Sequence, residues 1–434
     1  MITLTAAQQT ALRARNARVG VRLKWLYDPT DTVGSGNSYT MNMSGLDETG
    51  RWRPDFHRLE ELTLENRVPY LGEGIYFPSL NASIDLFGQG SSDPYWFYDY
   101  TVGPPIVPLA NKALLGGRLT VYGEICQSDS CITLVEMQRL VTDDIRQSGT
   151  PPRMEITGAS SRRMLAEMTI DQTETFANPA RIPNVSPVDI ITQISDHIFG
   201  AGIGREATSF PAAKADLTVA NIWVRMRLLP ESKWILADAF TQAVWHGAGS
   251  LYIDESDLMH WHHWPLSYSG TPDATWSESD IVRGSVSVLP RYDRIVTTHD
   301  LFGRNTYLNA QYHIQFGDGC VTWFGTKNKA WRLDFYDITP TGGGTCDMTS
   351  VVTRLSAPFT PMDPSDASKA RLPVQLRCSV PFSVGLPMQM GDYVHIDYDP
   401  LAIGASGGVW RIEERRFRAS RMTFDFALHD RIMV

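Results

Sequence analysis

The chain has 434 residues, 43% of them hydrophobic and 20% charged, with a formal net charge of −9; this is the composition of a globular protein of two to four domains, not of a disordered chain. The acidic total excludes a general nucleic-acid binder, because neutralising phosphates needs a basic face, and 5 cysteines are too few and too scattered for a disulfide scaffold. No run of about 18 apolar residues predicts a membrane-spanning helix, and the opening MITLTAAQQTALRAR lacks the apolar core of a secretory signal.

Thr5 with Gln8 three residues on forms a capping-box pattern, which predicts a short helix over 5–15. From Val19 the period changes to two. Val19, Val21, Leu23, Trp25 and Tyr27 alternate with Gly20, Arg22, Lys24 and Leu26, the pattern of a half-buried strand. The polar stretch 28–50 reads as a long surface loop. Short strands and turns follow to about residue 125, among them FPSLNASIDLFG (77–88) and LLGGRLTVYGE (114–124). Between them PYWFYDY (94–100) is expected to supply core and interface rings, with a sugar-stacking platform as the alternative.

Gly149-Thr150-Pro151-Pro152 marks a boundary. Beyond it SSRRMLAEM (160–168) predicts a brief capped helix and Ser186-Pro187 opens a longer one, with Ile190, Ile194 and Ile198 recurring every four residues up to Gly200. A strand over 222–229 precedes a third helix over 232–246, capped by Ser232 and stopped at Gly247. The run 249–264 reads as a hairpin turning on Asp254 to Asp257. A strand over 286–298 follows, and 300–350 adds strand-like material read as an extra hairpin decoration. The proline-rich linker APFTPMDPSD (357–366) and a short polar helix candidate, 365–371, lead to the last strands. There Val374, Leu376, Cys378, Val380 and Phe382, and later Phe424, Phe426 and Leu428, alternate with polar partners, so each run buries one face. The whole is expected to be α+β and predominantly β.

The order of these last pieces resembles the closing barrel of bacteriophage tail hub proteins, the family related to the baseplate hub of contractile tails. The resemblance is carried by the alternating strand, Leu386-Pro387, Met390-Gly391-Asp392, Val409-Trp410-Arg411-Ile412 and the final MTFDFALHD (422–430). The strands 77–88 and 114–124 are similar to the opening barrel, and the helix, glycine stop and acidic-turn hairpin around 232–264 to the middle domain. The resemblance implies two small β-barrel domains flanking a middle α/β domain, divided as 1–150, 151–285 and 286–434, with the inserted hairpin at 300–350. It also implies a structural, non-enzymatic role: a ring, trimeric in the family, joining the hexameric tail tube to the threefold tip and letting DNA pass. Its place would be the distal end of the virion tail after assembly in the host cytoplasm. Its partners would be further copies of itself, distal tail or tail tube proteins, the tape-measure protein, and tip or fibre proteins. The alternative is a carbohydrate- or receptor-binding tail protein, glycan-active or not.

The candidate sites are sparse, and no catalytic residue is assigned. His260 and His262 share a face of one strand with His263 opposite, so two of them could bind a metal if a third ligand came from elsewhere; histidines on a half-buried strand are the competing reading. Cys126, Cys131, Cys320 and Cys346 are candidate ligands because some hubs of flexible tails carry an iron–sulfur cluster, although the spacing matches no tight motif and a disulfide or free thiols are alternatives. GASGG (404–408) spells a nucleophile elbow, but the strand after it where a helix is required makes it a hairpin loop. Gly325-Thr326-Lys327 has phosphate-loop letters in the wrong order. Asp143-Asp144 and Asp254-Glu255 read as turn and surface acids unless brought to glycosidase distances. Arg411, Arg415, Arg416, Arg418 and Arg421, interleaved with Glu413 and Glu414, fit ion pairing between subunits better than a phosphate track.

Overall fold

The computed structural model describes residues 4–13, 18–26, 38–42, 57–85, 117–128, 131–148, 153–170, 181–200, 202, 204–220, 222–227, 234–263, 271–305, 310–317, 324–337, 348–356, 362–363, 366–370, 373–398 and 409–432. Helix α1 (Ala6–Arg13) is closed by the expected box: the Thr5 amide donates to Gln8 Oε1 at 2.7 Å and the Gln8 amide to Thr5 Oγ1 at 3.2 Å. Seven strands follow: β1 (Arg18–Leu26), β2 (Ser38–Asn42), β3 (His57–Arg67), β4 (Ser79–Asp85), β5 (Arg118–Ser128), β6 (Cys131–Ser148) and β7 (Arg153–Ala159). Val21, Leu23 and Trp25 of β1 are fully buried, as the period-2 pattern predicts. Arg22 departs from that pattern. It was expected to face water, yet it is buried and donates to Glu124 Oε1 of β5 at 2.6 Å. PYWFYDY lies outside the described residues.

The middle of the chain gives β8 (Thr169–Ile170), β9 (Arg181–Val185), α2 (Pro187–Phe199), α3 (Ser209–Val219), β10 (Val224–Arg227), β11 (Trp234–Ile235), α4 (Leu236–His246), β12 (Gly249–Ile253) and β13 (Met259–His263). The Ser186 hydroxyl caps α2 by accepting the Val188 amide, and Ile190 and Ile194 are fully buried. The third helix starts at Leu236 and not at 232, because Trp234 and Ile235 pair with Ile170 and Thr169. Thereafter come β14 (Ala274–Ser277), β15 (Ser287–Pro290), β16 (Thr298–Asn305), β17 (Ala310–Gly317), β18 (Asn328–Asp337), α5 (Met348–Ser356), β19 (Met362–Asp363), β20 (Asp366–Ala370), β21 (Val374–Pro381), α6 (Phe382–Gly385), β22 (Tyr393–Asp397), β23 (Val409–Arg418) and β24 (Thr423–Ile432). The expected helix over 365–371 is the strand β20 instead, paired with β19; so short a polar run cannot repay helix nucleation.

The first and last regions do not stand as two separate barrels. Their strands join in one 13-stranded sheet, with β3 as the seam. At eleven residues, β3 is longer than its neighbours can cover. One side pairs β4 from Arg58 to Glu65, while the other is divided between β2 at His57 and Arg58 and β23 at Thr63 to Arg67. A shared core follows from the shared sheet: Leu23, Leu62, Val121, Met137, Ile156, Leu376, Phe417 and Phe424 belong to one cluster. Gly123 of β5 marks how closely the two ends pack, since a Cβ there would stand 2.8 Å from Phe382 Cζ of α6.

The segment 300–350 is not a decoration. β16, β17 and β18 form a five-stranded sheet with β10 and β9, and Leu301, Trp331 and Leu333 are fully buried in the second core with α2, α4 and α5. The reason is one-sided burial: Trp331 and Leu333 share a face of β18, and the Trp331 ring meets Trp245 of α4 edge-on at 5.5 Å. β17 pairs antiparallel with β16; residues 318–323, expected to turn back on β17, lie outside the described residues.

Candidate functional site

Two buried polar clusters hold the cores together, and the first is the tip of the β12–β13 hairpin. Its register runs from Gly249 opposite His263 to Ile253 opposite Met259, leaving Asp254 to Leu258 as the turn. Asp254 organises that turn, accepting the Ser256 and Leu258 amides at 2.8 Å each and His260 Nε2 at 2.8 Å. Asp257 takes the left-handed conformation at φ 65°, which aspartate tolerates. Its carboxylate accepts the hydroxyls of Ser160, at 2.5 Å, and Ser161.

The tip lies against both ends of the chain. Asn66 Nδ2 of β3 donates to Ile253 O at 2.9 Å, Gln138 Nε2 of β6 to Asp254 O at 3.1 Å, and the Arg139 amide to Glu255 O at 2.8 Å. Glu255, 3% exposed, accepts Arg415 Nη1 of β23 at 3.1 Å and the Met390 amide at 3.3 Å. Burial pushes its carboxyl above the ordinary range and Arg415 opposes that rise. The Tyr252 hydroxyl donates to Met390 O at 3.3 Å. One hairpin thus bonds to β3, β6, β23 and the α6–β22 connection.

The second cluster is centred on Glu413, also on β23. Arg294 approaches it in two-pronged fashion, Nη1 to Oε1 at 3.1 Å and Nη2 to Oε2 at 3.0 Å, and lies 4.0 Å over the Tyr70 ring. Gln375 Nε2 donates to Glu413 Oε2 at 3.3 Å, which explains why this residue of β21 is buried among apolar neighbours. Arg411 Nη2 stands 3.8 Å from Glu413 Oε1 and its Nη1 contacts His262 Nε2. Burial works against charge at Glu413, but the surrounding cations outweigh it and hold the carboxyl below its usual range. Burial pushes His429, 2.7 Å from Arg294 Nη1, down to about 3. The charges of this cluster are matched to one another, which ties β21, β23 and the turn Tyr292–Arg294 together.

The candidates named from sequence are distributed accordingly. His260 and His262 do share a face of β13, but the first is bound to Asp254 and stacked on Tyr252 at 4.9 Å and the second meets Arg411. Among the described residues no three histidine, cysteine, aspartate or glutamate side chains gather as a metal site would require. Cys126 and Cys131 lie on adjacent strands β5 and β6; Cys320, Cys346 and GASGG lie outside the described residues. Gly325 to Lys327 form an irregular stretch entering β18. Asp143 pairs with Arg163 and Asp144 with Arg146, while Asp254 binds His260 and Glu255 binds Arg415. Sequence reasoning missed Asn66, Gln138, Arg294 and Gln375. The available signal was a polar residue at an inward strand position for Asn66 and Gln138; Gln375 falls on the polar face of β21 with Arg377 and Ser379, so its burial had no signal. No pattern marked Arg294, which is positioned by the single turn Tyr292–Arg294.

No protein-family model and no curated protein matches the chain. Among solved structures it is similar to a tail protein from Neisseria meningitidis, at 11% identity and a TM-score of 0.51, over 95% of this chain and 96% of that one. It is similar to the same degree, 11% identity and a TM-score of 0.51, to the 43 kDa tail protein of prophage MuSo2 from Shewanella oneidensis, over 95% of this chain and 98% of that one. At this identity the likeness is one of fold, and it extends over nearly the full length of both proteins. No helix among the described residues is long and apolar enough to cross a membrane.

Proposed function

We propose that this chain is a structural component of a bacteriophage-type tail, a ring-forming hub at the distal end of the tube. The observation that carries the reading is the full-length likeness of fold to two tail proteins, one of them from a prophage. In this reading the first and last regions, joined in one sheet, each offer a strand-rich face to the ring, so that three subunits present six such faces to a hexameric tube and a threefold face to the tip. Such a part needs rigid faces rather than a catalytic site. The sheet seam at β3–β23 and the hairpin tip at Glu255 give that rigidity, because the seam joins the two ends of the chain to each other and the tip binds both of them to the middle region. Tail tube, tape-measure and tip proteins are the neighbours such a ring would have, and DNA would pass through it without specific contacts.

The mass of the purified chain in solution by light scattering tests the reading, with cryo-electron microscopy of any ring that forms. A threefold ring with an open channel supports it. A monomer at high concentration that also fails to join purified tail tubes overturns it.

A further inference from the structure

The outer face of the central sheet carries a charge pattern that the internal clusters leave unexplained. Across β21, β24, β23 and β3 the register aligns Arg377, Ala427, Glu414 and Arg67 in one row, and Ser379, Asp425, Arg416 and Glu65 in the next. These residues share a face, opposite to the one on which Arg415 and Phe417 are buried. With Arg418 and Arg421 they line an open cleft of about 490 Å³. The size falls within the ordinary range for binding clefts.

Five arginines, at 67, 377, 416, 418 and 421, therefore face three carboxylates, Glu65, Glu414 and Asp425, a surplus of two positive charges; Arg415 also borders the cleft but is spent on Glu255 behind it. Arg67 is paired with Glu73 at 3.1 Å and Arg418 with Asp425 at 3.1 Å. Arg377, Arg416 and Arg421 have no carboxylate within ion-pair reach among the described residues. Elsewhere in this acidic chain Arg22, Arg294 and Arg415 are each matched to a glutamate.

We propose that this cleft is the docking site for an acidic polypeptide segment of a partner protein, whose carboxylates pair with Arg377, Arg416 and Arg421. Charge complementarity selects this occupant. Guanidinium groups present paired donors that match carboxylates. The three carboxylates already in the cleft would repel the closely spaced phosphates of a nucleic acid, while a polypeptide can place a lysine or a polar residue beside each of them. The inference does not depend on the tail role or on a ring, since it concerns a face of the single chain.

The test is fluorescence anisotropy of the full chain with labelled hexaglutamate, hexalysine and a twelve-nucleotide single strand of DNA. Hexaglutamate is expected to bind, less tightly at high salt. The combined variant Arg377→Ser, Arg416→Ser, Arg421→Ser should weaken it at least tenfold with the unfolding midpoint unchanged. Arg421→Glu alone, in the turn after β23, should weaken it several-fold and serves if the triple variant misfolds. The proposal is overturned by absence of hexaglutamate binding, by unchanged affinity in Arg421→Glu, or by DNA or hexalysine binding as tightly as hexaglutamate.

Discussion

The buried and the solvated charges of β23 are the same kinds of residue and do opposite things. Arg411, Glu413 and Arg415 are each less than 5% exposed and tied to Glu255, Arg294, Gln375 and His262; the register shift between Ile412 and Glu414 puts Arg411 and Arg415 on opposite faces of the strand. Glu414, Arg416 and Arg418 stand on a solvated stretch of sheet. Removing a charge from water costs several kcal/mol, so a buried charge persists only with a dedicated partner, whereas a solvated one needs none and is worth little to the fold. The buried charges are therefore where stability is at risk, and the solvated ones are free to serve recognition.

That contrast is sharpest in the response to truncation. Glu413→Ala would leave Arg294 and Arg411 buried without their carboxylate and should cost about 3–5 kcal/mol in a urea unfolding curve. Trp331→Ala should cost a similar amount, about 3–5 kcal/mol, through cavity formation, and a cost below ~1 kcal/mol would mean that β18 is a decoration after all. Glu255→Ala should lose about 3 kcal/mol, and Glu255→Leu combined with Arg415→Met should restore most of it, since an apolar pair of similar volume can replace a buried ion pair. If the double variant is no better than the single one, the hairpin tip matters for its backbone bonds and not for its charge.

Acid provides a weaker handle on the buried groups of the middle region. Burial pushes His246 down to about 4, and burial with Lys329 nearby pushes His299 down to about 4 as well. On acidification the unfolded chain takes up these protons first, near the ordinary 6.5, so the stability these groups contribute is complete above about pH 6.5 and is lost as pH falls towards 4. His246→Gln should flatten that decline by up to about 1.4 kcal/mol per pH unit. Urea midpoints between pH 7 and 4.5 measure it. The smallest effect belongs to the solvated charges: Arg418→Ala, which breaks a half-exposed pair with Asp425, should change stability by about 0–1 kcal/mol.

What the sequence determined by itself is the local layer. Thr5 and Gln8 close α1, Ser186 and Pro187 open α2, and the period-2 runs at 19–25 and 424–428 bury the predicted faces, because capping and strand alternation depend only on neighbours a few residues away. The mixed charges of β23 read from sequence as ion pairs between subunits, whereas Arg411, Glu413 and Arg415 are buried and pair within the chain. Tertiary structure alone decided which partners they take. Arg22 meets Glu124 across 102 residues, Glu255 meets Arg415 across 160, and β3 divides its free side between β2 and β23. It also decided that β16 to β18 complete the middle sheet, since their alternation fits any apolar surface and only the exposed face of α4 and β10 specified which one. Contacts at such separations depend on how complete elements pack, and no window of sequence contains both sides of them.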